Sequence, residues 1–366
     1  MPGKLHQPDI IYRGDIMLSC GTVGLPGCGK STVFRLLTNV SPPEGGTATA
    51  SAFIPDPRME KLRELYQPKK TTYARIQLTD TVGLNPGSGK TTAFLDAIRP
   101  SEVLLHVIRS FEGQQPHPLG ETDPVRDFTL VNDELLLADM GLLEKRLERI
   151  HSADKIKLPQ REQIPVLERC LNHLGQGNPM KSLELSADEQ EKLQGLVFFS
   201  HKPQLVVANL DEQDLTGQPD WLPKLEQKVA GNGWQTLCLS AAIEEELASL
   251  DEEDRQDFMN DLGIEQPAIS LLARQLFKLL DLITFFTVVN NEVRAWPLTR
   301  GSTALDAART IHSDMARGFI RADVYKTEDL LKLGSENAVK DSGLALLVGK
   351  DYVVEDGDII HIRFNV

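Results

Sequence analysis

The stretch Gly24-Leu25-Pro26-Gly27-Cys28-Gly29-Lys30-Ser31 matches G-x-x-x-x-G-K-[ST] and restricts the fold more than any other part of the chain. Average residue usage makes a chance match at its four specified positions a roughly one-in-a-hundred event for a chain of this length. An apolar run from Ile16 to Val23 reads as a buried strand entering the glycine loop, and Ser31 to Thr38 can begin a helix. In that order, backbone N–H groups and the positive helix end converge on one point, which suits a phosphate. Gly27, Cys28, Gly29, Lys30, Ser31 and Thr32 are therefore the expected phosphate-loop contacts. Lys30 is expected to pair with the β and γ phosphates and stabilise charge in catalysis, and the Ser31 hydroxyl to ligate Mg²⁺.

A second strand-like run, Ala74 to Thr79, enters Asp80-Thr81-Val82-Gly83. D-x-x-G is weak alone, but at the end of a strand after a P-loop it makes Asp80 a second Mg²⁺ candidate and Gly83 a γ-phosphate contact. Leu84 follows, so a glutamine that orients the attacking water is not available there. The related Pro86-Gly87-Ser88-Gly89-Lys90-Thr91 lacks the first glycine and is not a second P-loop. Further on, the strand Gln204 to Ala208 runs into Asn209-Leu210-Asp211-Glu212, in place of Asn-Lys-x-Asp. Asn209, Leu210 and Glu212 are the expected base contacts, and the altered last carboxylate favours ATP over GTP. Cys28 is either a thiol activated by the helix end and Lys30, and hence oxidisable, or a small residue facing away from phosphate.

Strand-like runs recur at Val103 to Ile108 and Gln235 to Leu239 with helical patterns between them, which predicts an α/β domain with a mostly parallel sheet. Asn132 to Leu196 breaks the alternation and reads as an inserted, coiled-coil-like helical hairpin, with Asn132 or Asp133 as its cap. After a last helix near Leu271 to Leu282, short strands such as Tyr352 to Val354 and Ile359 to Phe364 predict a small α+β module. The expected division is an extension at 1–15, a nucleotide domain at 16–131 and 199–282, a hairpin at 132–198 and a terminal module at 283–366.

The formal charge of −14 speaks against wholesale wrapping of nucleic acid, and DNA is not an expected partner. Part of the excess lies in Glu244 to Glu265, ten acids against Arg255 alone, which reads as a solvated helix face. Four cysteines without C-x-x-C spacing favour neither disulfides nor zinc, and no apolar run is long enough to span a membrane. A reducing cytoplasmic setting is the expectation.

The chain resembles the YchF or Obg-like ATPase family of translation-factor-related P-loop proteins. The resemblance is carried by GLPGCGKST (24–32), PDPRMEKL (55–62), DTVGL (80–84), DPVRDF (123–128), NDELLLADM (132–140), ANLDE (208–212), GFIRADV (318–324) and GKDYVVEDGDIIHIRFNV (349–366). It implies a nucleotide domain split by a helical hairpin, a C-terminal TGS domain of β-grasp type, a preference for ATP, and a ribosome or ribosomal RNA as partner. It also implies a hydrolytic role for a histidine after Arg109-Ser110-Phe111-Glu112, the place His117 occupies here, although His117 is equally a surface-loop residue. Two departures weaken hydrolysis more than binding: Val40 to Thr47 is shorter than the family's first switch, and the loop after Gly83 is also shorter.

Overall fold

A computed structural model describes residues 18–365 apart from 44, 85–90, 114, 153–157, 216, 218 and 290. The 1–15 extension and positions 86–90 of the P-loop lookalike fall outside the described residues. In chain order the strands are β1 (Ser19–Val23), β2 (Ala48–Phe53), β3 (Lys70–Thr72), β4 (Arg75–Asp80), β5 (Val103–Ser110) and β6 (Gln204–Leu210). There follow β7 (Gln235–Leu239), β8 (Leu282–Val289), β9 (Glu292–Thr299), β10 (Phe319–Lys326), β11 (Leu346–Val348) and β12 (Asp358–Phe364). They form two six-stranded sheets, ordered β2-β4-β1-β5-β6-β7 and β11-β10-β12-β8-β9-β3. Two compact units result: 19–52 with 77–279, and 53–76 with 280–366 and Leu18.

In the first unit β4–β1, β1–β5, β5–β6 and β6–β7 are parallel. β1, β5 and β6 are buried along their whole length, as strands covered on both faces must be. The chain leaves β1 for β4 on one side and reaches β5 on the other. The C-terminal end of β1 is therefore a topological switch point, where open α/β sheets offer their ligand crevice.

The hairpin helices are Pro124–His151 and Leu158–Gly175. Neither Asn132 nor Asp133 caps the first. Asp123 does, its Oδ1 accepting from the N–H groups of Val125 (3.1 Å) and Arg126 (2.9 Å), with Pro124 as the first helical residue. Asn132 is instead internal, donating to the Phe128 carbonyl at 2.8 Å and accepting from Gln204 at 2.9 Å. Leu136, Leu143 and Ile150 pack against Val166, Leu167 and Cys170, so the apolar stripe serves helix-to-helix packing.

Asp139, fully buried on the first hairpin helix, accepts from the N–H groups of Phe199 and Ser200 (both 2.8 Å) and the Ser200 hydroxyl (2.6 Å). It ties the hairpin's outward helix to its returning strand of chain. Asp139→Ala leaves three buried donors unpaired and is expected to lower unfolding free energy by about 3 kcal/mol, read by urea denaturation. A loss below ~1 kcal/mol would show the donors finding other acceptors.

On β5, His106 is 1% exposed and stacks on Phe128 with 5.5 Å between ring centroids. Burial, offset in part by a Gln204 hydrogen bond and assisted by the nearby Lys30 charge, depresses its pKa to about 3. The neutral ring is thus favoured in the fold, and this stability is complete above the unfolded value near 6.5 and is lost as pH falls toward 3. Between pH 7 and 5 the loss should be roughly 2 kcal/mol from this residue. His106→Leu should flatten the pH dependence over that window by about one proton.

The acidic run is not wholly a solvated face. Glu244 is 4% exposed and accepts from the N–H groups of Ala268 (2.7 Å) and Ile269 (3.2 Å), satisfying the first turn of helix Ala268–Leu279. That helix stops short of the expected Leu282, because Asp281 turns the chain at φ 52° and Leu282 opens β8.

In the second unit, β8–β9, β10–β12 and β10–β11 are antiparallel, while β12–β8 and β3–β9 are parallel. Tyr352 to Val354 forms no strand and contributes one isolated bridge, Val353 to Thr303. Residues 53–76 belong to this unit, whereas the expected nucleotide domain ran unbroken from 16 to 131. The reason is a long-range pairing: β3 adds an edge to β9 in the register Lys70↔Glu292 to Thr72↔Arg294. Arg58 on helix Pro57–Tyr66 secures the same segment, pairing with Asp56 and Asp356 (both 2.7 Å) and lying over the Phe286 ring.

Candidate nucleotide-binding site

The ends of β1, β4, β5 and β6 converge at the switch point, and the glycine loop leaves β1 there. Its glycines are required by close approach. A methyl group on Gly24 would lie 2.3 Å from the Val107 carbonyl, and one on Gly29 2.3 Å from Asn209 Nδ2. Gly29 also precedes helix Lys30–Thr38 at φ 96°, a left-handed conformation costly for other residues.

Lys30 is 5% exposed, and its ammonium donates to the carbonyls of Leu25 (2.8 Å) and Gly24 (3.2 Å). The cation is thus held across the mouth of the loop by main-chain oxygens, and among the described residues no acid pairs with it. Cys28 is 1% exposed, with Sγ 3.7 Å from Lys30 Nζ, so its thiol faces the interior of the loop.

Asp80 ends β4 at 2% exposure, accepting from the Ser31 hydroxyl (2.7 Å) and the Thr22 hydroxyl (3.0 Å). The two residues expected at the metal from separate motifs therefore touch. A hydroxyl and a carboxylate are hard oxygen donors, and this pair fits Mg²⁺. Thr22, which sequence reasoning missed, braces the arrangement: its Oγ1 accepts from Thr81 N–H (3.2 Å), and its carbonyl from the Thr81 hydroxyl (2.7 Å). Gly83 packs directly on the loop, where a methyl group would come within 2.6 Å of Pro26 Cα and N. Leu84 then donates its N–H to the Gly24 carbonyl at 3.0 Å.

Asn209 is buried at the end of β6, donating to the Cys28 carbonyl (3.1 Å) and accepting from Ala241 N–H (2.9 Å). It clamps the phosphate loop to the turn after β7, so its amide positions the loop before it meets any base. Leu210 turns its side chain into the core beside Ile108 and Phe128, leaving only its main chain for a ligand. Glu212 is exposed in a short 3₁₀ turn, Glu212–Asp214.

His117 is neither at the surface nor free. Its side chain is 2% exposed, with Nε2 2.7 Å from Asp127 Oδ2, while Nδ1 accepts from Leu119 N–H at 3.2 Å. The N–H donor on Nδ1 requires the ring proton on Nε2, so both nitrogens are spent. Asp127 is further held by Arg126, at 2.9 Å, in the first turn of Pro124–His151.

A family model described as 50S ribosome-binding GTPase matches residues 19–138, and one named YchF-GTPase_C, described as a protein of unknown function, matches 282–365. The chain is 36% identical over 360 residues to a "Ribosome-binding ATPase YchF" of Escherichia coli O157:H7, covering 95% of this chain and 99% of the relative. It is 35% identical over 364 residues to the protein of that name in Bacillus subtilis, covering 95% and 100%. The solved Schizosaccharomyces pombe YchF GTPase superposes with a TM-score of 0.83 at 28% identity, covering 96% of this chain and 99% of that one. Similarity of this depth runs through both units and the hairpin between the halves of the sheet, and it makes the chain a member of the YchF family.

Proposed function

We propose that this chain is a Mg²⁺-dependent ATPase acting as a slow nucleotide-dependent switch in association with the ribosome. The observation that carries the reading is the contact of Asp80 with Ser31, at 2.7 Å, beside an intact phosphate loop. When bound, Mg²⁺ held by Ser31 and Asp80 would neutralise charge between the β and γ phosphates. Backbone N–H groups from Gly27 to Thr32 and the ammonium of Lys30 bind phosphate. Gly83 supplies its N–H at the γ position, and Glu212 with the Leu210 main chain favours adenine over guanine. The names of the relatives support ATP and the ribosome as partners.

The proposed organisation keeps a hairpin at 132–198 and a TGS-type module from 283, with 53–76 joined to the latter's unit. No helix among the described residues is long and apolar enough to cross a membrane. A cytoplasmic location remains part of the proposal.

A second reading, a nucleotide-binding module that does not hydrolyse, is favoured by one observation. His117 has both ring nitrogens engaged, and Leu84 is aliphatic and carries no group that could orient or deprotonate water. Affinity for ATP and GTP with and without Mg²⁺, followed by single-turnover hydrolysis on the same sample, separates the readings. Tighter ATP than GTP binding, strengthened by Mg²⁺, with slow phosphate release is the expected result. Guanine preference would reject the base assignment, and binding without phosphate release would establish the second reading.

A further inference from the structure

Arg109 lies near the C-terminal end of β5, in register with Asn209 of β6, and is 2% exposed. Its Nε donates to the Phe111 carbonyl (3.1 Å) and its Nη2 to the Gln115 carbonyl (2.9 Å). Its guanidinium lies over the Phe111 ring, 4.9 Å from the centroid. Among the described residues no carboxylate pairs with it, and its hydrogen bonds run from Nε and Nη2. A guanidinium stays protonated at any pH a protein tolerates, so burial without a counter-charge is costly. Two carbonyls and a ring face offset that cost only in part.

Nη1 is the nitrogen beside the phosphate loop. A methyl group placed on Gly27 would lie 3.6 Å from Nη1 and 3.9 Å from Gln115 Oε1, so the Gln115 amide lies at the same spot. Gly27 has φ 72° and no side chain, so the space between Arg109 and the loop backbone is not filled from that side. β6 contributes no cation here, because Leu210 occupies the place of the lysine in Asn-Lys-x-Asp and is buried in the core.

We infer that Arg109 is a nucleotide-binding residue whose Nη1 donates to a phosphate oxygen of a bound nucleoside di- or triphosphate at Gly27. The anion supplies the counter-charge the guanidinium lacks, and the carbonyls of Phe111 and Gln115 hold the fork in place for it. The inference rests on nucleotide binding at the P-loop and adds a second buried cation to Lys30.

Arg109→Gln and Arg109→Lys are to be compared with the parent for affinity to ATP, ADP and adenosine, and for urea unfolding of the nucleotide-free protein. Arg109→Gln should weaken ATP and ADP by roughly 10-fold or more and leave adenosine unchanged. Arg109→Lys should recover part of the loss, since a point charge remains without the fork. Nucleotide-free Arg109→Gln should be no less stable than the parent. Unchanged ATP affinity in Arg109→Gln would overturn the inference, as would equal losses for ATP and adenosine. A fall in nucleotide-free stability matching the fall in affinity would also overturn it, since Arg109 would then only prop residues 111–115. Failure of the parent to bind either ATP or GTP would instead remove the nucleotide reading beneath it.

Discussion

ATP hydrolysis by the Lys30→Ala variant is expected to fall by on the order of 10²- to 10³-fold, with weaker ATP binding. The ammonium is buried against the Leu25 and Gly24 carbonyls, so it is already in place before phosphate arrives. Such preorganisation means little reorganisation is needed as charge develops on the transferred phosphoryl group. Among the described residues no acid pairs with the cation, and none can replace it across the loop mouth. Single-turnover phosphate release under saturating ATP, with circular dichroism to verify folding, measures the effect. Hydrolysis at the parental rate would reject Lys30 as the charge-stabilising group.

The second large effect concerns His117. If this ring is the base for the attacking water, His117→Ala should lower the hydrolysis rate by ~10²-fold or more while leaving ATP affinity near the parental value. The observed contacts add a condition. With Nδ1 accepting from Leu119 N–H and Nε2–H donating to Asp127 Oδ2, the ring must leave this pocket before it can accept a proton. Asp127→Asn removes the carboxylate that holds it and should raise the basal rate several-fold, an increase that disappears in the His117→Ala, Asp127→Asn double variant. An unchanged rate in His117→Ala would remove the histidine from the chemistry. A lower rate in Asp127→Asn would mean that Asp127 orients a working base instead of restraining it.

The strand, glycine loop and helix of the candidate phosphate site are legible in the sequence because the pattern is local. Gly24 to Ser31 and Asp80 to Gly83 are short runs whose residue types alone state what the backbone must do, and the structure places Ser31 against Asp80. Asp123-Pro124 is a cap followed by a first-turn proline, while the apolar stripe alone points to Asn132 or Asp133 as the helix start. Thr22 carries no signal in the sequence, since it acts through Asp80 and Thr81, distant in the chain, and Arg109 stands in the Arg109-Ser110-Phe111-Glu112 motif, which says nothing of its place beside Gly27. Asn209 was assigned to the base from its motif, while its contacts show that it first clamps Cys28 to Ala241.

The sequence by itself determined the strand–loop–helix that makes a phosphate site, the parallel character of the first sheet, the hairpin's apolar seam and the small terminal module. Each follows from periodicity or from residues within a turn or two of one another. Only the tertiary structure decided that 53–76 pairs with a sheet more than 200 residues away, that Glu244 and Asp139 are buried hydrogen-bond hubs, and that His117 is restrained. The physical reason is common to all three. Which distant donor meets a buried carboxylate or ring nitrogen, and which free strand edge accepts β3, is settled by how packed elements satisfy their polar groups away from water.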